Sequence, residues 1–167
     1  MRLASAALET PVGRLFAVVW DGRLCALTFD ADARSTREYL LGRFGTDLFP
    51  SQRDPGGVAS RLRAYFRGDL EALDPVEVDL AGTPFQERVW AELRKIRPGT
   101  TRAYADVAIA VGEPKALRAV GMAASRNPAV IVVPCHRVVA RDGSLHGFSG
   151  GIERKRWLLV HEGALLA

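Results

Sequence analysis

The chain is poor in the residues that would staple or anchor it. Its 167 residues include two cysteines, Cys25 and Cys135, and neither sits in a Cys-x-x-Cys pair or a Cys/His cluster. That argues against a disulfide framework and for a reducing, intracellular setting. Residues 1–81 contain no histidine; all three, His136, His146 and His161, lie further on. No run of about 18 apolar residues occurs, and Met1-Arg2-Leu3-Ala4-Ser5 lacks the apolar core of a signal peptide. The expectation is a soluble, cytoplasmic protein with no membrane partner. What the chain does have is 48% hydrophobic content, enough for the core of one domain or two small ones.

Acidic excess is also missing from the second half. Residues 1–81 carry 10 Lys/Arg against 12 Asp/Glu, whereas residues 82–167 carry 13 against 7. The basic half is either a solvated face or a surface for a polyanion, which gains affinity by releasing phosphate counterions.

Residues 2–8 and 14–20 read as strands around Thr10-Pro11-Val12-Gly13, and Asp21-Gly22 separates 16–20 from 24–29 as a tight hairpin would. Cys25 falls inside the third strand and reads as core. Helical patterns follow near 34–44 and 56–67, the second with Val58, Leu62, Tyr65 and Phe66 on one side and Gly68 as its cap. Residues 76–80 alternate apolar and acidic, as an exposed edge strand would. Residues 1–81 are therefore expected to form an α/β scaffold, an antiparallel sheet with flanking helices, with no catalytic constellation.

The pattern changes at Ala81-Gly82-Thr83-Pro84. Thr83 with Gln86 makes a capping box, and Phe85, Val89, Trp90, Leu93 and Ile96 recur at helical spacing, predicting a helix over 84–96. A short helix over 103–111 is broken by Gly112-Glu113-Pro114, and a third begins at Lys115 and runs through Ala124. Two short helices about a glycine turn predict a helix-turn-helix in a mainly α domain over 82–167. Ala119, Gly121, Ala123 and Ala124 make the third helix thin, able to approach a backbone or groove closely. Arg118 on it could enter a DNA groove, fill the gap left by a displaced base, or pair at the surface.

A cysteine and histidine side by side, Val133-Pro134-Cys135-His136-Arg137-Val138, are the stretch around which the rest is organised. A free cysteine is ordinarily inert packing. Here Pro134 fixes the backbone, and His136 and Arg137 bring potential positive charge that favours thiolate, so Cys135 is predicted to be the reactive atom. Beyond it, the glycine-rich residues 142–151 let backbone amides approach a ligand or simply make a wide turn. Residues 152–161 read as a closing helix, and Glu162 at its end is one of few carboxylates in this half.

Over residues 83–163 the motifs combine: Thr83-x-Phe85-Gln86-x-x-Val89-Trp90, Tyr104, Arg118-Ala119-Val120-Gly121, Asn127-Pro128, Pro134-Cys135-His136-Arg137-Val138 and Gly147-Phe148-Ser149-Gly150-Gly151. Together they resemble the O6-alkylguanine-DNA alkyltransferases. The resemblance implies a ribonuclease H-like N-terminal domain and a winged-helix-like C-terminal one. It implies that Cys135 accepts an alkyl group from O6 of guanine, or O4 of thymine, in duplex DNA after the base is flipped, each molecule reacting once. His136 would deprotonate it through a water, Glu162 would orient His136, and Asn127 would hold the active-site turn. Tyr104 would donate a proton to the base and Arg118 would be the finger, with Ala119, Gly121 and Ala123 beside DNA. Val138, Phe148 and Ser149 would line the base pocket. The implied partner is double-stranded DNA, bound in the minor groove with little sequence preference. The implied state is a monomer, with cooperative assembly on DNA left open. No cofactor is implied, and with one cysteine and no histidine in residues 1–81, no metal is expected. Phe148 stands where many members have tyrosine.

Three rivals remain at this point. A damage sensor of the alkyltransferase-like type would lack the cysteine, which is present. A helix-turn-helix regulator leaves the Pro-Cys-His-Arg stretch unexplained. A cysteine hydrolase would normally take its histidine from a distant segment and would turn over.

Overall fold

The computed structural model describes residues 3–148 and 150–167. The chain divides into two compact units, residues 1–81 and 82–167.

The first unit is built on an antiparallel meander, β1 (Leu3–Thr10), β2 (Gly13–Trp20) and β3 (Arg23–Thr28), in the order β1-β2-β3. Asp21 and Gly22 both take positive φ, 49° and 81°, which is what a two-residue hairpin requires and why Asp-Gly stands there. A bulge interrupts the β2–β3 register between Val18 and Val19. Helix α1 (Arg34–Phe44) covers one face, packing Leu40 against Val18 and Ala26 with Phe16, Tyr39, Phe44 and Phe49 around them. Helix α2 (Val58–Phe66) buries Val58, Leu62 and Tyr65 as expected, whereas Phe66 is only half-buried. Residues 76–80 differ from expectation. They meet β3 through a single parallel bridge, Leu24 with Val78, closed by Leu24 N to Glu77 O and Asp79 N to Leu24 O, both 2.9 Å. Val76 turns inward and is buried, so the alternation reflects one anchor point rather than a strand.

In the second unit α3 (Pro84–Leu93) starts from the Thr83–Gln86 capping box, with both reciprocal bonds formed. It stops three residues short of the predicted 96, where the chain turns before Pro98. Strand β4 (Arg102–Ala103) pairs in parallel with β5 (Val138–Val139). Helix α4 (Tyr104–Ala110) and α5 (Leu117–Ser125) follow, with α5 beginning two residues later than predicted. Trp90 Nε1 donates to the Ala123 carbonyl at 2.8 Å and locks α5 onto α3. Helix α6 (Ile152–His161) closes the unit and delivers Glu162 at its end.

Among the described residues no helix is long and apolar enough to cross a membrane, and no group of three His, Cys, Asp or Glu is placed to hold a metal ion.

Candidate active site

The turn that carries Cys135 is strained and clamped. Ile131 has φ of 71°, a conformation a β-branched residue resists, and it is buried. Asn127 spans that turn. Its Oδ1 accepts from Ala129 N at 2.9 Å, and its Nδ2 donates to Val133 O at 2.7 Å and to Cys135 Sγ at 3.3 Å. One side chain therefore fixes the backbone on both sides of Ile131 and touches the sulfur. Asn127→Ala leaves a buried amide and carbonyl unpaired and releases the strained turn, so equilibrium denaturation should register a loss of about 2–4 kcal/mol.

Cys135 and His136 then enter a short 3-10 turn, and both are buried, at 5% and 0% exposure. Burial pushes the Cys135 thiol up; the Asn127 hydrogen bond and the charge of Lys155 pull it back. His136 Nε2 lies 2.8 Å from Glu162 Oε2, while its Nδ1 has no partner among the described residues. Burial holds the imidazole below its ordinary range, against the pull of Glu162. Burial also opposes ionisation of Glu162, but hydrogen bonds from Arg137 and His136 outweigh it and keep the carboxyl ionised well below the usual range.

Arg137 differs from its sequence reading. Its Nε and Nη2 grip Glu162 at 2.8 Å each and its Nη1 donates to Ile96 O at 2.6 Å. The guanidinium is spent on the carboxylate, a bidentate pair, and not on the sulfur. The charge near Cys135 comes instead from Lys155, a residue the sequence reading did not single out. Lys155 is fully buried, and its Nζ donates to Val138 O and His146 O.

Around this centre stand the remaining predicted pocket residues. Tyr104, at the start of α4, donates its hydroxyl to His146 O at 3.2 Å. The adjoining Gly147 has φ of 65° and lies so close that a Cβ there would be 3.3 Å from that hydroxyl. The Phe148 ring is buried and meets the His136 ring edge to face, centroids 6.4 Å apart. Val138, paired with Arg102 across β4 and β5, donates its N–H to Cys135 O and accepts from Lys155 Nζ at its carbonyl. Ser149 lies outside the described residues.

Helix α5 presents Arg118, Met122 and Ser125 on one exposed stripe, opposite the buried Val120, Ala123 and Ala124. Arg118 is exposed, and among the described residues it has no hydrogen-bond or ion-pair partner. Ala119 is exposed and Gly121 half-buried. Ala123, at 1% exposure, corrects its sequence reading: it is buried on the inner side of α5, where its backbone carbonyl accepts from Trp90 of α3, and offers no outer surface.

The site thus holds a buried thiol and a buried imidazole–carboxylate–guanidinium chain, and the same unit carries an exposed helix stripe whose Arg118 has no partner among the described residues. The family model for the DNA-binding domain of 6-O-methylguanine DNA methyltransferase matches residues 84–164. The methylated-DNA-protein-cysteine methyltransferase of Salmonella typhimurium is 43% identical over 170 residues, covering 99% of each chain. Its Mycobacterium tuberculosis counterpart is 52% identical over 112 residues, 65% of this chain and 67% of that one. The crystal structure of the M. tuberculosis O6-methylguanine methyltransferase superposes with a TM-score of 0.79 at 36% identity, over 97% of this chain and 93% of that one. The M. tuberculosis protein in complex with DNA gives 0.78 at 37%, over 96% and 93%. With its cysteine site built as described and this likeness running the length of the chain, the protein belongs to the methylated-DNA-protein-cysteine methyltransferase family.

Proposed function

We propose that the protein repairs alkylated duplex DNA by transferring the alkyl group from O6 of guanine, and from O4 of thymine, to Cys135. The observation that carries this reading is the Cys135 sulfur held by Asn127 beside a buried His136–Glu162–Arg137 chain. His136 Nδ1, unpartnered among the described residues, takes the thiol proton through a bound water, while Glu162 fixes the opposite nitrogen. The thiolate attacks the alkyl carbon in line: a C–S bond forms, the C–O bond breaks, and the electron pair leaves on the purine. Tyr104 releases the His146 carbonyl and donates toward the base, neutralising it. The product is an alkyl thioether, whose C–S bond water does not cleave, so each molecule reacts once.

A methyl inside the stack cannot reach a buried thiol, so the nucleotide is rotated out at a cost of a few kcal/mol. Helices α4 and α5 act as a helix-turn-helix in a winged-helix-like domain. The α5 stripe lies in the minor groove and Arg118 occupies the vacated position. Residues 1–81 serve as a ribonuclease H-like scaffold. The protein acts as a cytoplasmic monomer, without cofactor or metal, and its affinity falls with salt but depends little on sequence.

Intact-protein mass spectrometry after incubation with duplex DNA containing O6-methylguanine tests the reading. One added methyl, mapped to Cys135 and saturating at one per molecule, is expected; tight binding without any mass change would refute it. Arg118→Ala should slow transfer from duplex DNA by roughly 10–100-fold, a loss of about 1.4–2.7 kcal/mol, and leave reaction with the free base O6-methylguanine within about twofold. Equal losses on both substrates would remove the finger role.

A further inference from the structure

Lys155 is a buried charge that the proposed reaction does not use. On α6 it lies on the same face as the buried Leu158 and Leu159, and it is itself fully buried. Among the described residues it pairs with no carboxylate; Glu162 is already engaged by Arg137 and His136. An ammonium so placed is expensive, and Met or Leu would fill the space without that cost. Its Nζ donates to Val138 O of β5 at 2.6 Å and to His146 O of the 140–148 segment at 2.8 Å. The same His146 carbonyl accepts from the Tyr104 hydroxyl at 3.2 Å, and the ammonium stands 5.9 Å from the centre of the Tyr104 ring.

We infer that Lys155 is a positioning residue of this site: its ammonium, on α6, clasps the 140–148 segment to β5 beside the Cys135 turn. The inference rests on the transferase reading for its purpose but not for its geometry. When Tyr104 turns its hydroxyl to a base, the His146 carbonyl loses one donor and keeps the other. The segment, with Phe148 at its end, therefore holds its place through the reaction.

The titratable groups around the ammonium are Cys135, His136, Tyr104 and His146. His136 is kept neutral by burial, and burial together with the Cys135 charge keeps the Tyr104 hydroxyl protonated. The imidazole of His146 turns away to Ser144 Oγ at 2.8 Å. Cys135 is then the group left to answer the charge. Burial lowers the Lys155 ammonium to about 8, with the Cys135 charge opposing that fall. The two titrate as a coupled pair, and the clasp weakens as pH rises through that range.

Two measurements on the whole protein test this without DNA. The first is the rate of iodoacetamide modification of Cys135 against pH, read by peptide mass spectrometry in the wild type and in Lys155→Met. The variant's midpoint should move up by about one pH unit, making it about tenfold slower at neutral pH. The second is hydrogen exchange of residues 140–148 relative to α5. It should rise about tenfold in the variant, and in the wild type the same ratio should climb above pH 8. The wild-type series keeps the test valid even where the variant folds poorly. An unshifted midpoint, or an exchange ratio flat in the variant and across pH 8 in the wild type, overturns the inference. Failure of the wild type to accept methyl from O6-methylguanine DNA would instead defeat the transferase reading, while both DNA-free arms still decide the clasp.

Discussion

Cys135→Ser is expected to give a folded protein that binds duplex DNA as the wild type does and accepts no methyl group. The hydroxyl fits the same space and Asn127 Nδ2 can donate to it as it does to sulfur. Stability should therefore change by only about 1 kcal/mol. The chemistry does not survive the exchange. Burial already pushes the Cys135 thiol up, and the far less acidic serine hydroxyl yields essentially no alkoxide in the same site. A fall in transfer on the order of 10^4-fold or more is expected, read as the mass shift of the intact protein, with DNA affinity followed by fluorescence anisotropy. The control is Cys25→Ser. Cys25 is fully buried in β3, its thiol is raised by burial, and its Sγ contacts Arg23 O at 3.5 Å. Transfer should be unchanged in that variant. Transfer that persisted in Cys135→Ser would make Cys25 or another atom the acceptor and dismantle the proposed site.

Where a feature is written in adjacent residues, the sequence alone was enough to find it. Asp21-Gly22 announces its hairpin because a primed turn needs positive φ, and Thr83 with Gln86 announces the start of α3 because the capping box is local. Cys135 and His136 are visible for the same reason. What they do not reveal is where neighbouring charges point. Arg137 reads as a cation beside the sulfur, yet Glu162, 25 residues on, draws it away. Lys155 was hidden in the opposite sense. Between Arg154 and Arg156 it reads as one more solvated base, and only its place three and four residues before Leu158 and Leu159 marks it as facing inward. Ala123 was misread because small residues on a helix serve a close neighbour as readily as a ligand, and here Trp90 is that neighbour. Nothing in the sequence signals the positive φ of Ile131, since a β-branched residue gives no such hint; the clamp of Asn127 imposes it. The single bridge at Val78 shows the limit of periodicity, which records alternation but not how long a pairing continues.

Glu162→Gln should be the most destabilising conservative change in the second unit. The carboxylate receives two hydrogen bonds from Arg137 and one contact from His136, all buried and all at 2.8 Å. Its amide replacement keeps the shape but leaves the Arg137 guanidinium buried without a counter-charge, which costs about 3–5 kcal/mol and lowers Tm by roughly 10 °C. The acid-side pH dependence contributed by this centre follows from two depressed groups. Glu162 is held well below its ordinary 4.5, so its contribution is fully present above that pH and is lost as pH falls toward the folded value. His136 is held below 6.5 by burial, so the unfolded chain binds the extra proton first and stability declines as pH falls beneath 6.5. Wild-type stability from urea denaturation should therefore slope downward below about pH 6.5 and more steeply below about 4.5. The gap to Glu162→Gln should stay near its full size down to about 4.5 and narrow beneath it. Transfer should fall as well, because an imidazole without Glu162 loses the partner that fixes its tautomer, and a readout at a pH where both proteins are folded separates that loss from unfolding. Equal stability of the two proteins at neutral pH would mean that Arg137 is solvated, and that the buried chain on which the proton path depends does not form.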